Sequence, residues 1–297
     1  MNGYSSHTLK LVNDRGQVHY CKWHFKSDQG IRNFTAQEAE KLAGSDPDYA
    51  TRDLFAAIER REFPTWTVHV QVMSEEQARA APINILDVTK VWPHAQYPLQ
   101  PLGRLCLNRN PQNYFAEIEQ VAFSPSHVVP GIEPSNDKML QGRLFSYPDT
   151  HRHRLGPNYT QIPVNRALGC RQPPMNHQRD ALMVVDGNGG AAPNYEPNSN
   201  SADAKVQASA AYSQFPVSGV VARHPVKLTD ADFVQAGRLY AIQSPEGKAR
   251  MVSNLVGHLR NAKPHLRARQ LAHFKRADKE LGARIEQGLA ALTNNRL

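Results

Sequence analysis

The sequence predicts an α+β fold in which about four antiparallel strands come first and an all-α part comes last. Three observations support this prediction. Apolar and polar residues alternate at the front of the chain, a long stretch rich in proline, glycine and asparagine follows, and residues 229–297 show helical spacing throughout. We therefore divide the chain into a sheet part at 1–109, a long wrapping segment at 110–222 and a helical subdomain at 223–297.

The predicted strands come in two pairs. Residues 7–26 are typical of a β-hairpin, because Thr, Leu, Val, Tyr, Trp and Phe alternate with polar residues on both sides of a turn at 13–16. Alternation at 65–73 and at 101–109 predicts the second pair. A sheet of four strands has two edges, and edges of this length are usually paired or covered. We therefore expect further strands to complete the sheet.

Three helices are predicted outside the C-terminal part. Residues 35–46 and 48–62 have apolar residues at helical intervals, each run preceded by a Thr or Asp suited to N-capping. A further helix is expected at about 136–154, inside the otherwise irregular stretch from 110 to 175. Residues 181–222 are rich in Gly, Asn, Ala and Ser, which predicts an extended connection.

The C-terminal part is predicted to hold about four helices. Their boundaries are marked by Gly237, Pro245, Gly247 and Pro264. Many of the lysines and arginines behind the formal charge of +8 also lie here, at the spacing of solvated helix faces. This pattern disfavours a nucleic-acid partner, since no aromatic-studded sheet motif or reading helix accompanies the charge.

The composition excludes several classes of protein. No stretch approaches the roughly 20 apolar residues of a membrane span, and the N-terminus lacks the basic start and apolar run of a signal peptide. The three cysteines are far apart and form no CxxC pair, so neither a disulfide framework nor a thiolate zinc site is indicated. A cytoplasmic protein is expected.

One tyrosine has a spacing that suits iron chemistry. Arg143 lies four residues before Tyr147 and Arg154 seven after it, so in a helix the two guanidinium groups would flank the phenol on one face. Positive charge that donates hydrogen bonds favours a phenolate, and phenolate suits ferric iron. By spacing alone, however, such a tyrosine is more often an ordinary core or surface residue. His151 and His153 point to different faces of a helix and indicate a structural role, not a shared metal.

The stretch RLFSYPDTHRHRLG at 143–156 resembles the proximal haem signature of catalases. Blocks along the whole chain, such as MNGYSSHTLKLVN, VWPHAQYPL and LNRNPQNYFAEIEQVAF, are similar to those of the small-subunit catalases. The resemblance implies hydrogen peroxide decomposition to water and oxygen at haem b, half of the catalase β-barrel, and a homotetramer. It also implies a cytoplasmic location, or a peroxisomal one in a eukaryote.

The resemblance assigns roles around the haem. It implies that Tyr147 is the axial iron ligand, that Arg143 hydrogen-bonds its oxygen and that Arg154 helps to hold the haem. Tyrosine is the axial ligand that catalases use among the haem proteins. His7 and Asp137 match positions that continue the chain of hydrogen bonds from Arg143.

The resemblance also implies an NADPH site, in which Lys26 suits the phosphates and His94 suits polar nucleotide contacts. The matching positions are Asn2, Tyr4, Lys26, Trp92, His94 and Gln235. Beyond Gln235 the match is weaker, because Arg238 and Leu239 stand where the family usually has Thr and Phe.

The catalase family carries a distal histidine and asparagine in an earlier part of its pattern, and no block of this sequence resembles it. Met1 falls at an internal methionine of the pattern, so we expect a fragment that supplies the proximal haem face. The alternative is a non-catalytic haem- or NADPH-binding remnant that assembles with full-length catalase subunits. The last three residues, 295–297, resemble a peroxisomal tripeptide only loosely.

Overall fold

The fold is α+β, as predicted, with one antiparallel sheet and a helical C-terminal region. The computed structural model describes residues 1–166 and 227–294, together with 184, 187, 190–191, 193, 198–200, 213–214 and 217–225 between them. The extended connection expected at 181–222 therefore lies mostly outside the described residues. The C-terminal tripeptide at 295–297 lies outside them as well.

Six strands form the sheet within the described residues. They are β1 (Gly3–Tyr4), β2 (Leu9–Val12), β3 (Val18–Ser27), β4 (Thr65–Ser74), β5 (Gln100–Cys106) and β6 (Ile132–Pro134). The order is β5-β4-β3-β2-β6, and β1 pairs with β3. The four predicted strands are confirmed. β1 and β6 were not predicted, because strands of two and three residues are too short to show alternation.

The predicted hairpin joins β2 to β3. Its turn is closed by a hydrogen bond of 3.0 Å from the Gly16 amide to the Asn13 carbonyl, and Gly16 has a φ of +73°. The Asn13 side chain accepts from the amides of Arg15 and Gln17, as asparagine side chains commonly do in turns. β5 is an edge strand of the sheet, and all of its residues are exposed. The described strands do not close into a barrel.

Eight α-helices are described. They are α1 (Ala36–Ser45), α2 (Tyr49–Glu59), α3 (Glu75–Ala80), α4 (Lys138–Leu155), α5 (Ala231–Ala241), α6 (Pro245–Leu259), α7 (Pro264–Ala277) and α8 (Lys279–Asn294). The two short helices after the hairpin and the four C-terminal helices are confirmed. Thr35 caps α1 in a reciprocal capping box with Glu38. The six-residue α3 was missed, since so short a helix carries too little periodicity.

Helix α4 confirms the helix expected at 136–154. It begins after Asp137, whose side chain accepts from the amides of Met139 and Leu140, and it ends before Gly156, where φ is +106°. A π-helical turn at Phe115–Glu119 and a 3₁₀ turn at Tyr159–Gln161 lie on either side of α4 in the sequence. Both turns fall within residues 110–175, where the sequence outside the expected helix shows no regular helical or strand pattern.

The chain forms two compact units. The first comprises Met1–Ile31 and Thr51–Pro216, and the second comprises Arg32–Ala50 and Val217–Leu297. A core around Met73, Ile85 and Trp92 lies in the first unit. The second unit has its own core of Tyr240, Val256, Leu281, Ile285 and Leu289. The three-part division at 109/110 and 222/223 stays a prediction.

Candidate functional site

A cavity of about 640 Å³ lies in the first unit, where the segment before β2, residues 121–129 and helix α4 meet. Most of its lining is apolar. The polar side chains that reach it include His7, His127, Arg143, Tyr147 and Asn165. A large apolar cavity with a few convergent polar groups is the usual form of a ligand or cofactor site.

Tyr147 and Arg143 interact as their spacing predicts. They lie one turn apart on α4, and the Arg143 Nη2 donates to the Tyr147 hydroxyl oxygen at 2.8 Å. The guanidinium carbon is 4.9 Å from the centre of the tyrosine ring. Tyr147, which lines the cavity, therefore has a cationic hydrogen-bond donor already in place on its hydroxyl oxygen.

Arg154 has different partners from those its spacing suggests. Its guanidinium donates to the carbonyl oxygens of Glu119 at 2.6 Å and Val121 at 2.7 Å. A helix rises about 1.5 Å per residue, so seven residues place Arg154 about 10 Å along the axis from Tyr147. In the described part of the chain, Arg143 is the arginine that donates to the phenol. The role of Arg154 toward a haem-type cofactor stays a prediction.

His7 and Asp137, which are 130 residues apart in sequence, form a buried pair. The distance from His7 Nδ1 to Asp137 Oδ2 is 2.5 Å, and the side chains are 6% and 7% exposed. The other carboxylate oxygen caps α4, accepting from the amides of Met139 at 2.9 Å and Leu140 at 3.3 Å. Because a carboxylate accepts, the hydrogen-bond pattern assigns a proton to Nδ1 of His7.

His151 has the structural role that was predicted. It is buried, its Nε2 donates to the Phe123 carbonyl at 2.8 Å, and its Nδ1 lies 3.3 Å from Arg154 Nη2. Among the residues that the structure describes, no group of three His, Cys, Asp or Glu side chains could hold a metal ion. None of the described helices has the length and apolar character needed to span a membrane.

Three of the residues expected at an NADPH site lie together at the surface. Asn2 Nδ2 and Lys26 Nζ donate to the Tyr4 hydroxyl oxygen at 3.1 and 3.2 Å. The Lys26 ammonium also lies 4.8 Å from the centre of the Tyr4 ring. Burial raises the pKa of Tyr4, but these hydrogen bonds and the charge of Lys26 outweigh burial, so the pKa of Tyr4 is lowered.

His24 joins this cluster and was not predicted. Its ring lies between Tyr4 and His94, with centroid distances of 5.5 and 5.8 Å. The Gln71 Nε2 donates to two carbonyls, so its Oε1 accepts the proton of His24 Nε2 at 2.9 Å. The His24 Nδ1 is then a buried acceptor without a partner in the described structure. Burial lowers the pKa of His24, and burial with the charge of Lys26 lowers the pKa of His94.

The remaining two residues of the expected NADPH site are placed differently. Trp92 is 1% exposed and packs in the core of the first unit, although its Nε1 is a second buried polar atom without a partner among the described residues. Gln235 belongs to α5 in the second unit. The sequence could not indicate His24, because a lone histidine in an alternating strand is more often a core residue.

Two family models match the chain. The model described as Catalase matches residues 1–202, and the model described as Catalase-related immune-responsive matches residues 227–289. The chain therefore belongs to the catalase family. Haem is the cofactor that membership of this family implies.

Individual relatives agree with the family models. The chain is 53% identical to "Catalase-A" of Dictyostelium discoideum over 296 residues, which are 99% of this chain and 60% of the relative. It is 51% identical to "Peroxisomal catalase" of Toxoplasma gondii, covering 99% and 59%. The chain thus spans about 60% of the length of these two relatives.

Solved catalases share the fold. The crystal structure of a fungal catalase superposes with a TM-score of 0.88 at 44% identity, covering 98% of this chain and 59% of that one. Catalase A from Saccharomyces cerevisiae gives a TM-score of 0.89 at 42% identity, covering 97% and 60%.

Proposed function

We propose that the protein to which this chain belongs decomposes hydrogen peroxide to water and oxygen at haem b, and that this chain supplies the iron-ligand side of the haem. The observation that carries the proposal is that Tyr147 lines an apolar cavity and accepts a hydrogen bond from Arg143 at 2.8 Å. The residues present fit the cofactor. The apolar lining suits a flat macrocycle, and a phenol with a cationic donor suits ferric iron.

In this proposal each side chain of the cavity has a stated task. The haem, when bound, supplies the redox chemistry for peroxide. Tyr147 ligates iron through its oxygen, and the Arg143 N–H favours the anionic form of that oxygen by donating to it. Asp137 fixes the start of the helix that carries Tyr147 and pairs with His7, which lines the cavity.

The ligand assignment is tested by adding haem to the purified 297-residue chain and recording the absorption spectrum. Wild type should bind haem with the bands of a phenolate-ligated ferric iron, and Tyr147→Phe should lose those bands. Tyr114→Phe is the matched control, since Tyr114 is 56% exposed and outside the cavity lining. An unchanged spectrum for Tyr147→Phe would refute the ligand role. Oxygen release from peroxide, measured on the same samples, tests the activity separately.

A second candidate function is NADPH binding, either beside catalysis or in a non-catalytic haem- or NADPH-binding protein that assembles with full-length catalase subunits. Lys26 offers an ammonium for a phosphate. His24 Nδ1 and Trp92 Nε1 have no hydrogen-bond partner among the described residues, and a bound ligand or an ordered water would satisfy them. Asn2, Tyr4 and His94 complete the part of the proposed set that lies in the first unit.

The NADPH proposal is tested by fluorescence titration with NADPH. Lys26→Gln should weaken binding about tenfold, because it removes one charge-assisted contact of roughly 1.5 kcal/mol. Lys41→Gln, an exposed lysine on α1, is the control and should leave the affinity unchanged. If both variants bind NADPH as tightly as wild type, Lys26 is not part of the site.

Membership of the catalase family also suggests an oligomeric state and a cellular location. We propose a homotetramer, which sedimentation velocity of the full protein tests directly, with a monomer as the contradicting result. We propose a cytoplasmic location, or a peroxisomal one in a eukaryotic source. The relative from Toxoplasma gondii that is named a peroxisomal catalase supports the second location, and fluorescence imaging of the tagged protein in its own cell tests it.

A further inference from the structure

The segment at residues 119–123, called here the cavity wall, borders two cavities. Val121, Ala122 and Phe123 line the 640 Å³ cavity that also receives Tyr147. Gln120, within the same segment, lines a second cavity of about 630 Å³. Since a void removes the partner atoms on that side, apolar packing alone holds this segment weakly.

Hydrogen bonds from three side chains hold the cavity wall instead. Arg154 donates to the carbonyls of residues 119 and 121 at 2.6 and 2.7 Å, and His151 donates to the carbonyl of residue 123 at 2.8 Å. Asn165 donates to the carbonyl of residue 120 at 2.9 Å and accepts from the amide of residue 122 at 2.8 Å. Each residue of the wall thus has one backbone group bound by a side chain from outside the wall.

Asn165 bridges the wall to the segment after α4. Its Nδ2 donates both to the Gln120 carbonyl and to the Tyr159 carbonyl at 3.0 Å, while its Oδ1 accepts from the Ala122 amide. These partners fix the orientation of the amide, because two carbonyls require the nitrogen and an N–H requires the oxygen. The side chain also lines the Tyr147 cavity.

We propose that Asn165 is a positioning residue that fixes the cavity wall in the pocket of Tyr147 and so sets the shape of the cofactor site. Arg154 and His151 hold the same wall from α4, the helix that carries Tyr147. The wall and the tyrosine therefore belong to one hydrogen-bonded frame, which Asn165 extends to residue 159. The effect of Asn165 on haem binding rests on the proposed function, whereas its effect on the position of the cavity wall does not.

The substitution Asn165→Asp tests the wall directly. It keeps the shape and the acceptor for Ala122, but it replaces the donor by a carboxylate oxygen that faces two carbonyls. Hydrogen exchange of the haem-free chain should become about tenfold faster, or more, at the amides of 121–123, because losing buried hydrogen bonds makes local opening of the wall easier. Asn33→Asp is the control, since it makes the same chemical change at an exposed residue of the second unit. Unchanged exchange at 121–123 would overturn the proposal.

Haem titration tests the pocket. Asn165→Asp should bind haem about tenfold more weakly, and its absorption bands at saturation should differ from those of wild type. A variant that is only less stable would show wild-type bands once saturated, and that result would overturn the pocket role. If wild type binds no haem, the proposed function fails, but the hydrogen-exchange experiment still tests whether Asn165 fixes the cavity wall. If Asn165→Asp does not fold, Asn165→Ala removes the same bonds without adding charge and is measured in its place.

Discussion

Replacing Asp137 should separate two contributions to the stability of the first unit. One carboxylate oxygen caps α4, and the other pairs with His7 at 2.5 Å. Asp137→Ala removes both contacts. Asp137→Ser keeps a good capping oxygen, but its shorter side chain cannot also serve His7.

The magnitudes follow from these contacts. Loss of the cap costs about 1 kcal/mol, and leaving a buried imidazole without its partner costs roughly 1–3 kcal/mol. Asp137→Ala should therefore lower the free energy of unfolding by about 2–4 kcal/mol. Asp137→Ser should lower it by about 1 kcal/mol less than that.

Urea unfolding followed by tryptophan fluorescence measures this difference. All three tryptophans, Trp23, Trp66 and Trp92, lie in the first unit, so the signal reports on that unit alone. Equal losses for Asp137→Ala and Asp137→Ser would show that the cap contributes nothing. Losses below about 0.5 kcal/mol for both variants would refute the reasoning on the buried pair.

Two further predictions concern a thiol and a helix crossing. Burial raises the pKa of Cys21 to about 12. At a pH of about 8, iodoacetamide should therefore label the exposed Cys106 and should label Cys21 only after urea unfolds the chain. Mass spectrometry of the peptides measures this, and labelling of Cys21 in the folded chain would contradict the prediction. Gly237→Ala should destabilise the second unit by about 2 kcal/mol or more, because its Cβ would lie 2.0 Å from the Ala277 carbonyl oxygen. Gly257→Ala, with nothing within 4 Å, should instead be neutral or stabilise by roughly 0.5–1 kcal/mol, and similar melting temperatures of the two variants would contradict the packing argument.

Most of the regular structure could be predicted from the sequence, because its causes are local. Alternation predicted β2 to β5, a threonine suited to N-capping marked α1, and a helix at about 136–154 was expected where α4 lies. The pairing of Tyr147 with Arg143 was also predictable, since one helical turn joins them. The pairing of His7 with Asp137 was not, because 130 residues separate them and spacing carries no information at that range. The family resemblance brought them together.

The cavity wall could not be predicted for a related reason. Residues 119–123 have neither helical nor strand periodicity, and their backbone groups are bound by side chains from later in the chain. The sequence assigned Arg154 to the haem by resemblance and gave Asn165 no role. Only the tertiary structure shows that both side chains bind the backbone of one irregular segment.

Polar contacts anchor α4 at both of its ends. Of its 18 residues, Leu140 and His151 are buried, and Phe145 is 81% exposed. A helix with so little buried apolar surface is held weakly by packing, since helices in proteins owe most of their stability to an apolar face. Asp137 fixes its first turn, and Arg154 binds its last turn to the cavity wall. Tyr147 lies between these two anchors, so the position of its oxygen depends on hydrogen bonds at both ends of the helix.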